Sequence, residues 1–104
     1  MEPQTNITPL EARRNEVAQY EANVALYQTI LASLPTEWPA RLEQYRGSKD
    51  EHNEIAKVDN LDDVELLGQL WYADKVRKAI RTETLEKIKA KAILQVLENQ
   101  AKLG

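Results

Sequence analysis

The chain has 104 residues, of which 42% are hydrophobic and 30% charged, a composition typical of one folded domain rather than a disordered segment. The absence of cysteine excludes disulfides, zinc–thiolate sites and cysteine nucleophiles, and a net charge of −3 does not by itself indicate a partner. No apolar run approaches the roughly 20 residues that span a bilayer, and the polar N-terminus lacks a signal peptide's features. These features predict an intracellular, most simply cytoplasmic protein without a membrane partner.

The first predicted element is a helix over residues 9–34. Thr8 and Glu11 match a capping box, Pro9 suits the first helical position, and Pro35 ends the helix. A seven-residue repeat runs along it, interrupted by Arg13 and formed by Leu10, Val17, Val24 and Leu31 with Tyr20, Tyr27 and Leu34 interleaved. This pattern predicts lengthwise packing against other helices. Further apolar residues widen the stripe, which favours a bundle core over an isolated coiled coil.

A short helix is predicted over residues 37–46, where Trp38, Leu42 and Tyr45 share one face and Gly47 follows as the terminator. These three side chains are candidate interaction residues, because Trp and Tyr dominate binding hot spots. The alternative is that they fold back as a lid on the other helices, since large aromatic residues usually contribute to a core.

A second short helix is predicted over residues 49–58, with Ser48 and Glu51 as a capping box and few apolar anchors. His52 lies among acidic residues, but none of them is at the three- or four-residue spacing that brings two ligands together on a helix. We therefore interpret His52 as a solvated side chain and predict no metal site.

The C-terminal part predicts helices over residues 61–81 and 83–101, possibly as one continuous helix, since no Gly or Pro forces a break between them. Asn60 or Asp59 is the expected cap. The first half is apolar around much of its circumference and is expected to be a central helix, with Gly68 allowing a close neighbour. If continuous, the helix would outrun the first one, and its end would need another subunit.

The charge distribution suggests a second function. Residues 48–65 carry seven acids and two bases, a balance of −5, and residues 75–91 carry seven bases and two acids, a balance of +5. These segments most simply complement each other or are solvated. The alternative is phosphate binding through the basic segment, whose candidate residues are Lys75, Arg77, Lys78 and Arg81.

Catalytic, cofactor-binding and metal-binding residues are not predicted. The chain has one His and widely separated glycines, and its acids, lysines and tyrosines form no evident cluster for acid–base chemistry. The sequence thus predicts a non-enzymatic protein without a cofactor.

Taken together, the patterns predict an all-α fold, an antiparallel helical bundle of three to five helices with coiled-coil (heptad) character. We expect residues 1–7 to form a flexible lead-in, residues 8–101 a single helical domain, and residues 102–104 a frayed tail. The predicted function is a protein–protein interaction module, an adaptor, scaffold or assembly subunit that binds a protein partner or its own copy through a heptad-patterned face. The alternative is a small nucleic-acid-binding regulator that uses residues 75–91. The residues predicted for the core or an interface are Leu10, Val17, Val24, Leu31, Trp71, Leu85, Ile88 and Val96.

Overall fold

The computed structural model describes residues 8–103, which form helices and no strand. The elements are α1 (Pro9–Ala32), a 3₁₀ helix (Ala40–Tyr45), α2 (Glu51–Ile55) and α3 (Leu61–Leu103). The prediction of an all-α protein is confirmed. The predicted lead-in, residues 1–7, lies outside the described residues, as does Gly104, whereas Lys102 and Leu103 form the last turn of α3.

Side-chain caps and a proline define the ends of α1. The Thr8 hydroxyl accepts a hydrogen bond from the Glu11 backbone N–H at 3.1 Å, as the capping box predicts. The helix ends two residues before the predicted boundary, because the Ser33 and Leu34 N–H groups bond to carbonyls three residues back. This tighter last turn leads directly into Pro35, which cannot continue a helix.

The segment between α1 and α3 is less helical than its sequence pattern predicts. The 3₁₀ helix begins only at Ala40, because Pro39 adopts an extended conformation with ψ 149° and disfavours helix in the residue before it. In α2 the cap is Asp50, whose carboxylate accepts the Asn53 N–H at 3.2 Å, instead of Ser48. The helix keeps only five residues.

The C-terminal segment is one helix, α3, which corresponds to the continuous alternative. Asn60 caps it by accepting the Asp62 N–H at 2.9 Å. Near the predicted boundary between the two shorter helices, the Thr84 hydroxyl donates to the Ile80 carbonyl at 2.7 Å. Thr84 therefore bonds back within the helix and does not cap a new one.

The described residues divide into two compact units by their contacts, and the single helical domain over residues 8–101 stays a prediction. Unit 1 combines residues 8–26 with residues 80–103, and unit 2 is Tyr27–Ala79. The predicted arrangement of all helices as one antiparallel bundle with heptad character stays a prediction.

Unit 2 has a core in which the middle segment packs on α3. Leu67 and Leu70 are fully buried, and Leu42 and Trp71 are nearly so. Partly buried side chains surround this cluster: Trp38, Tyr45, Ile55, Val58 and Leu66. The Trp71 indole N–H also donates to the Tyr45 carbonyl at 3.2 Å, which satisfies a polar group that burial would otherwise penalise.

Unit 1 consists of two helical segments that run antiparallel. Arg14 lies 3.9 Å from Glu98, Glu21 lies 3.5 Å from Lys91, and the Asn23 amide donates to Glu83 at 3.2 Å. The partner number falls as the α1 number rises, which defines the opposite chain directions. The contacts between these segments bury Val17 and Ala90.

Two glycines in unit 2 differ in backbone conformation. Gly47 has φ +79°, the left-handed conformation predicted for it, whereas Gly68 lies within α3. The expectation that Gly68 admits a close neighbour is wrong, because no described atom outside the adjoining part of its own helix lies within 4 Å of a Cβ placed there.

We expect alanine at these two positions to change the free energy of unfolding in opposite directions. Gly47→Ala forces a side chain into a left-handed conformation and should lower it by about 1–2 kcal/mol. Gly68→Ala meets no obstruction and should raise it by about 0.5–1 kcal/mol, because alanine loses less entropy in a helix. Urea denaturation measures both, and changes of the same sign would contradict the assignment.

Candidate interaction surfaces

The predicted aromatic face, Trp38, Leu42 and Tyr45, packs inward. Leu42 is 2% exposed, and the other two are half-buried against the core of unit 2. This placement corresponds to the alternative in which these residues cover other helices. Trp38 and Tyr45 therefore keep only part of their surface accessible to a partner.

Trp38 has a further polar contact and one unsatisfied group. The Arg46 guanidinium lies 5.9 Å from the centroid of its ring, within cation–π distance. Its indole N–H is buried and has no hydrogen-bond partner. Burying an unpaired donor costs free energy. Any stabilisation of unit 2 by Trp38 therefore comes from the burial of its apolar surface and from its contact with Arg46.

The basic segment is partly neutralised by acids of unit 2. Lys75 pairs with Glu51 at 3.2 Å, and Arg77 pairs with Asp74 at 3.4 Å. Of the four candidate phosphate-binding residues, Lys78 and Arg81 have no ion pair within residues 8–103. Of these two pairs, Lys75–Glu51 joins the basic segment to the acidic segment 48–65, whereas Arg77–Asp74 lies within α3.

A shallow cleft of about 180 Å³ lies beside this segment. The residues that line it are Gly47, Ser48, Glu51, Trp71, Asp74, Lys75 and Lys78. Its lining carries two carboxylates and two ammonium groups, and Lys75 already pairs with Glu51. The charged groups that line the cleft thus have both signs, and they do not form a binding site for one anion or one cation.

In unit 1, one side of α3 is covered by α1. The positions on this side that follow a three- and four-residue spacing are all buried or half-buried, and they are Ile80, Glu83, Lys87, Ala90, Leu94 and Leu97. On the α1 side, the positions of the predicted repeat that belong to unit 1 are all buried or half-buried, and they are Leu10, Arg13, Val17, Tyr20 and Val24. The covered side of α3 includes a glutamate and a lysine, whose aliphatic stems can pack while the charged ends reach water.

The opposite side of α3 in unit 1 is apolar and exposed. We call it the outer stripe, and it consists of Leu85, Ile88, Ala92 and Val96. Leu85, Ile88 and Val96 expose 51%, 57% and 55% of their surface, and Ile93 at the edge exposes 41%. The sequence predicted Leu85, Ile88 and Val96 for the core or an interface, and among the described residues of unit 1 they are exposed and do not form core.

Carboxylates gather around one tyrosine of the covered face. The pKa of Tyr20 is raised above its ordinary value, first by partial burial and then by the negative charges of Glu16, Glu86 and Glu83. These charges disfavour a tyrosinate. We therefore expect the neutral phenol to be the form that packs between α1 and α3 in unit 1.

Sequence reasoning missed Glu83 and Lys87 as members of the covered face. The most apolar side of a helix is ordinarily the buried one, so Leu85 and its neighbours were the natural choice. The sequence did contain one signal for the covered face. The three- and four-residue spacing of Val76 and Ile80 continues through Glu83, Lys87 and Ala90.

Other classes of site find little support in residues 8–103. No group of acidic, histidine or cysteine residues there is arranged to hold a metal ion, and His52 lies exposed on α2. None of the described helices combines the length and apolarity needed to cross a membrane. Comparison with protein-family models, with curated proteins and with solved structures found no match.

Proposed function

We propose that this chain is a non-enzymatic protein–protein interaction module, an adaptor, scaffold or assembly subunit. The single observation that carries the proposal is the outer stripe of α3, a contiguous apolar helix face exposed in unit 1. Single exposed apolar residues are common, but a row of them along one helix face is typical of a binding surface.

The distribution of polar residues on α3 supports this choice of surface. Its covered side in unit 1 includes Glu83 and Lys87, whereas the outer stripe consists of apolar residues alone. A helix that only had to pack against α1 would gain more by burying the apolar side. The sequence is therefore explained best if a partner covers the outer stripe while α1 covers the opposite side.

The heptad repeat of α1 has a different role in this proposal. Its positions are already covered within the chain, so they are not the surface offered to a partner. The predicted coiled-coil character would then lie in the antiparallel pairing of α1 with α3 in unit 1, and the predicted larger bundle would form when a partner helix packs on the outer stripe.

The alternative, nucleic-acid binding through residues 75–91, has weaker support. Two of its four candidate residues, Lys75 and Arg77, already form ion pairs with nearby carboxylates. Lys78 and Arg81 remain for a phosphate. Such binding would weaken steeply with salt, whereas binding to an apolar stripe would not.

A pull-down with three forms of the tagged full chain tests the proposal. Ile88→Asp places a charge in the outer stripe, and Leu26→Asp is the matched control, because both native side chains are 57% exposed in unit 1. At moderate salt we expect the wild type and Leu26→Asp to retain a stoichiometric protein partner or their own untagged copy, and Ile88→Asp to lose it.

Two results would contradict the proposal. One is equal recovery of the partner by Ile88→Asp and by the wild type. The other is recovery of nucleic acid that leaves as salt rises, which would support the basic segment instead. Circular dichroism of the variants checks that both keep their helices.

A further inference from the structure

We infer that Ser48 is a phosphorylation site for an acid-directed serine/threonine protein kinase, and that its phosphate binds the Lys78 ammonium group across the cleft beside α3. The site lies in unit 2, so it is independent of the outer stripe that carries the proposed function. The kinase transfers the γ-phosphoryl group of ATP. The Ser48 oxygen forms the new bond to phosphorus, the bond to the β-phosphate oxygen breaks, ADP leaves, and the hydroxyl proton passes to the catalytic base of the kinase.

The sequence that follows Ser48 is acidic. Asp50 and Glu51 stand two and three positions after it. A kinase whose substrate groove is basic selects carboxylates at such positions through charge complementarity. Ser48 therefore has the neighbours that an acid-directed kinase requires of its substrate.

The Ser48 hydroxyl is free to react. It forms no hydrogen bond among the described residues, because Asp50 caps α2 in the place that the capping box predicted for Ser48. It also reaches solvent, since the one buried side-chain polar group without a partner in residues 8–103 is the Trp38 indole N–H. The hydroxyl thus has no structural role that phosphorylation would disrupt.

Two other hydroxyls of the chain serve for comparison. The Ser33 hydroxyl donates to the Ile30 carbonyl at 2.7 Å, and none of the three residues after Ser33 is charged. Thr8 does precede an acid, Glu11, by three positions, but its hydroxyl accepts the Glu11 N–H at 3.1 Å. Ser48 combines an acidic neighbourhood with a free hydroxyl, which these two residues do not.

The backbone around Ser48 can open into the extended conformation in which kinases bind a substrate. Residues 46–50 are not helical, and the short helix that follows, α2, has five residues and buries none of them. The ion pair between Glu51 and Lys75 is partly exposed and holds the segment only weakly. Local opening of this segment therefore costs little free energy.

The cleft beside Ser48 offers the phosphate a cation. The charged residues that line it are Glu51, Asp74, Lys75 and Lys78. Glu51 pairs with Lys75, and Asp74 pairs with Arg77. Lys78 has no ion pair among the described residues. A phosphoserine, which carries about −1.5 to −2 charges, can therefore pair with Lys78 without displacing another acid.

Covalent attachment explains how a phosphate binds in a cleft that does not form a site for a free anion. A free anion is repelled by Glu51 and Asp74 and has no other bond to hold it there. The Ser48 phosphate is kept at the cleft by its own chain, so its effective concentration at Lys78 is high. The contact joins residues 46–50 to α3, as phosphorylation does when it orders a segment opposite a basic group.

Phosphorylation of the purified full chain by an acid-directed kinase with ATP tests the acceptor. Mass spectrometry should show one added phosphate, and fragmentation should place it on Ser48. Ser48→Ala should abolish the incorporation, whereas the matched control Ser33→Ala should leave its rate unchanged. The chain recovered from its native cell with phosphatase inhibitors should carry the same phosphate. A phosphate on another residue, or none on the chain from the cell, would overturn the inference.

Phosphorus NMR titration of the phosphorylated chain tests the contact with Lys78. The second pKa of the phosphate should be lower in the folded chain than in the urea-unfolded chain, because a nearby ammonium group favours the dianion. The unfolded chain is the reference, since Lys49 adjoins the phosphate in both states. Lys78→Gln should raise the folded-state pKa toward the unfolded value. Lys57→Gln should not, because Lys57 is likewise exposed in unit 2 but does not line the cleft. An unchanged pKa in Lys78→Gln, or an equal rise in both variants, would contradict the contact.

These outcomes are separate from those of the pull-down. Failure of Ser48 as an acceptor would leave the outer stripe and its partner untouched. Equal recovery of the partner by Ile88→Asp and by the wild type would leave the phosphorylation of Ser48 untouched.

Discussion

Replacing Leu70 by alanine should lower the free energy of unfolding by about 2–5 kcal/mol, one of the largest effects expected in this chain. Leu70 is fully buried beside Leu67 and Trp71. The substitution removes apolar burial and leaves a cavity that the surrounding helices fill only in part. Urea denaturation followed by circular dichroism measures the loss.

Leu61→Ala is the matched control in the same helix. Leu61 lies at the start of α3 and is 80% exposed, so its truncation should change the free energy of unfolding by less than about 0.5 kcal/mol. Equal losses for Leu70→Ala and Leu61→Ala would mean that the core of unit 2 is not where the structure places it.

The second large effect is expected in unit 1, where Val17→Ala should lower the free energy of unfolding by about 2 kcal/mol. Val17 is 8% exposed and is the one residue of α1 that is buried. Its truncation removes apolar contacts between α1 and α3. Thermal and urea unfolding at low protein concentration measure the effect on the single chain.

Val96→Ala is the same substitution on the other side of α3. Val96 is 55% exposed, so at low protein concentration its truncation should change stability by less than about 0.5 kcal/mol. A loss for Val96→Ala as large as that for Val17→Ala would contradict the assignment of its side of α3.

The sequence predicted α1 and α3 well because their signals are local. Thr8, Pro9 and Pro35 mark the ends of α1 through capping and proline geometry, and Asn60 caps α3. The middle segment was predicted less well. Pro39 prevents an early helical start, and α2 is capped by Asp50 instead of Ser48, two candidates that local sequence does not distinguish.

The candidate surface was the part least accessible to sequence reasoning. Periodicity identified Leu85, Ile88 and Val96 as one face, but it did not show which face of α3 meets α1. The side chosen for α1 includes Glu83 and Lys87, because the antiparallel register brings them opposite the repeat of α1. Judged by hydrophobicity alone, the outer stripe would be the face that packs against α1, and the side with Glu83 and Lys87 would be the exposed one.

Thiol labelling in the native cell tests most directly whether the outer stripe is a covered interaction surface. The native chain has no cysteine, so Ile88→Cys and Leu26→Cys each introduce a single thiol at side chains with the same 57% exposure. We predict that a maleimide reagent modifies the Ile88→Cys thiol much more slowly than the Leu26→Cys thiol in intact cells. After denaturation the two rates should be equal. Equal rates in intact cells would show an uncovered stripe and contradict the account.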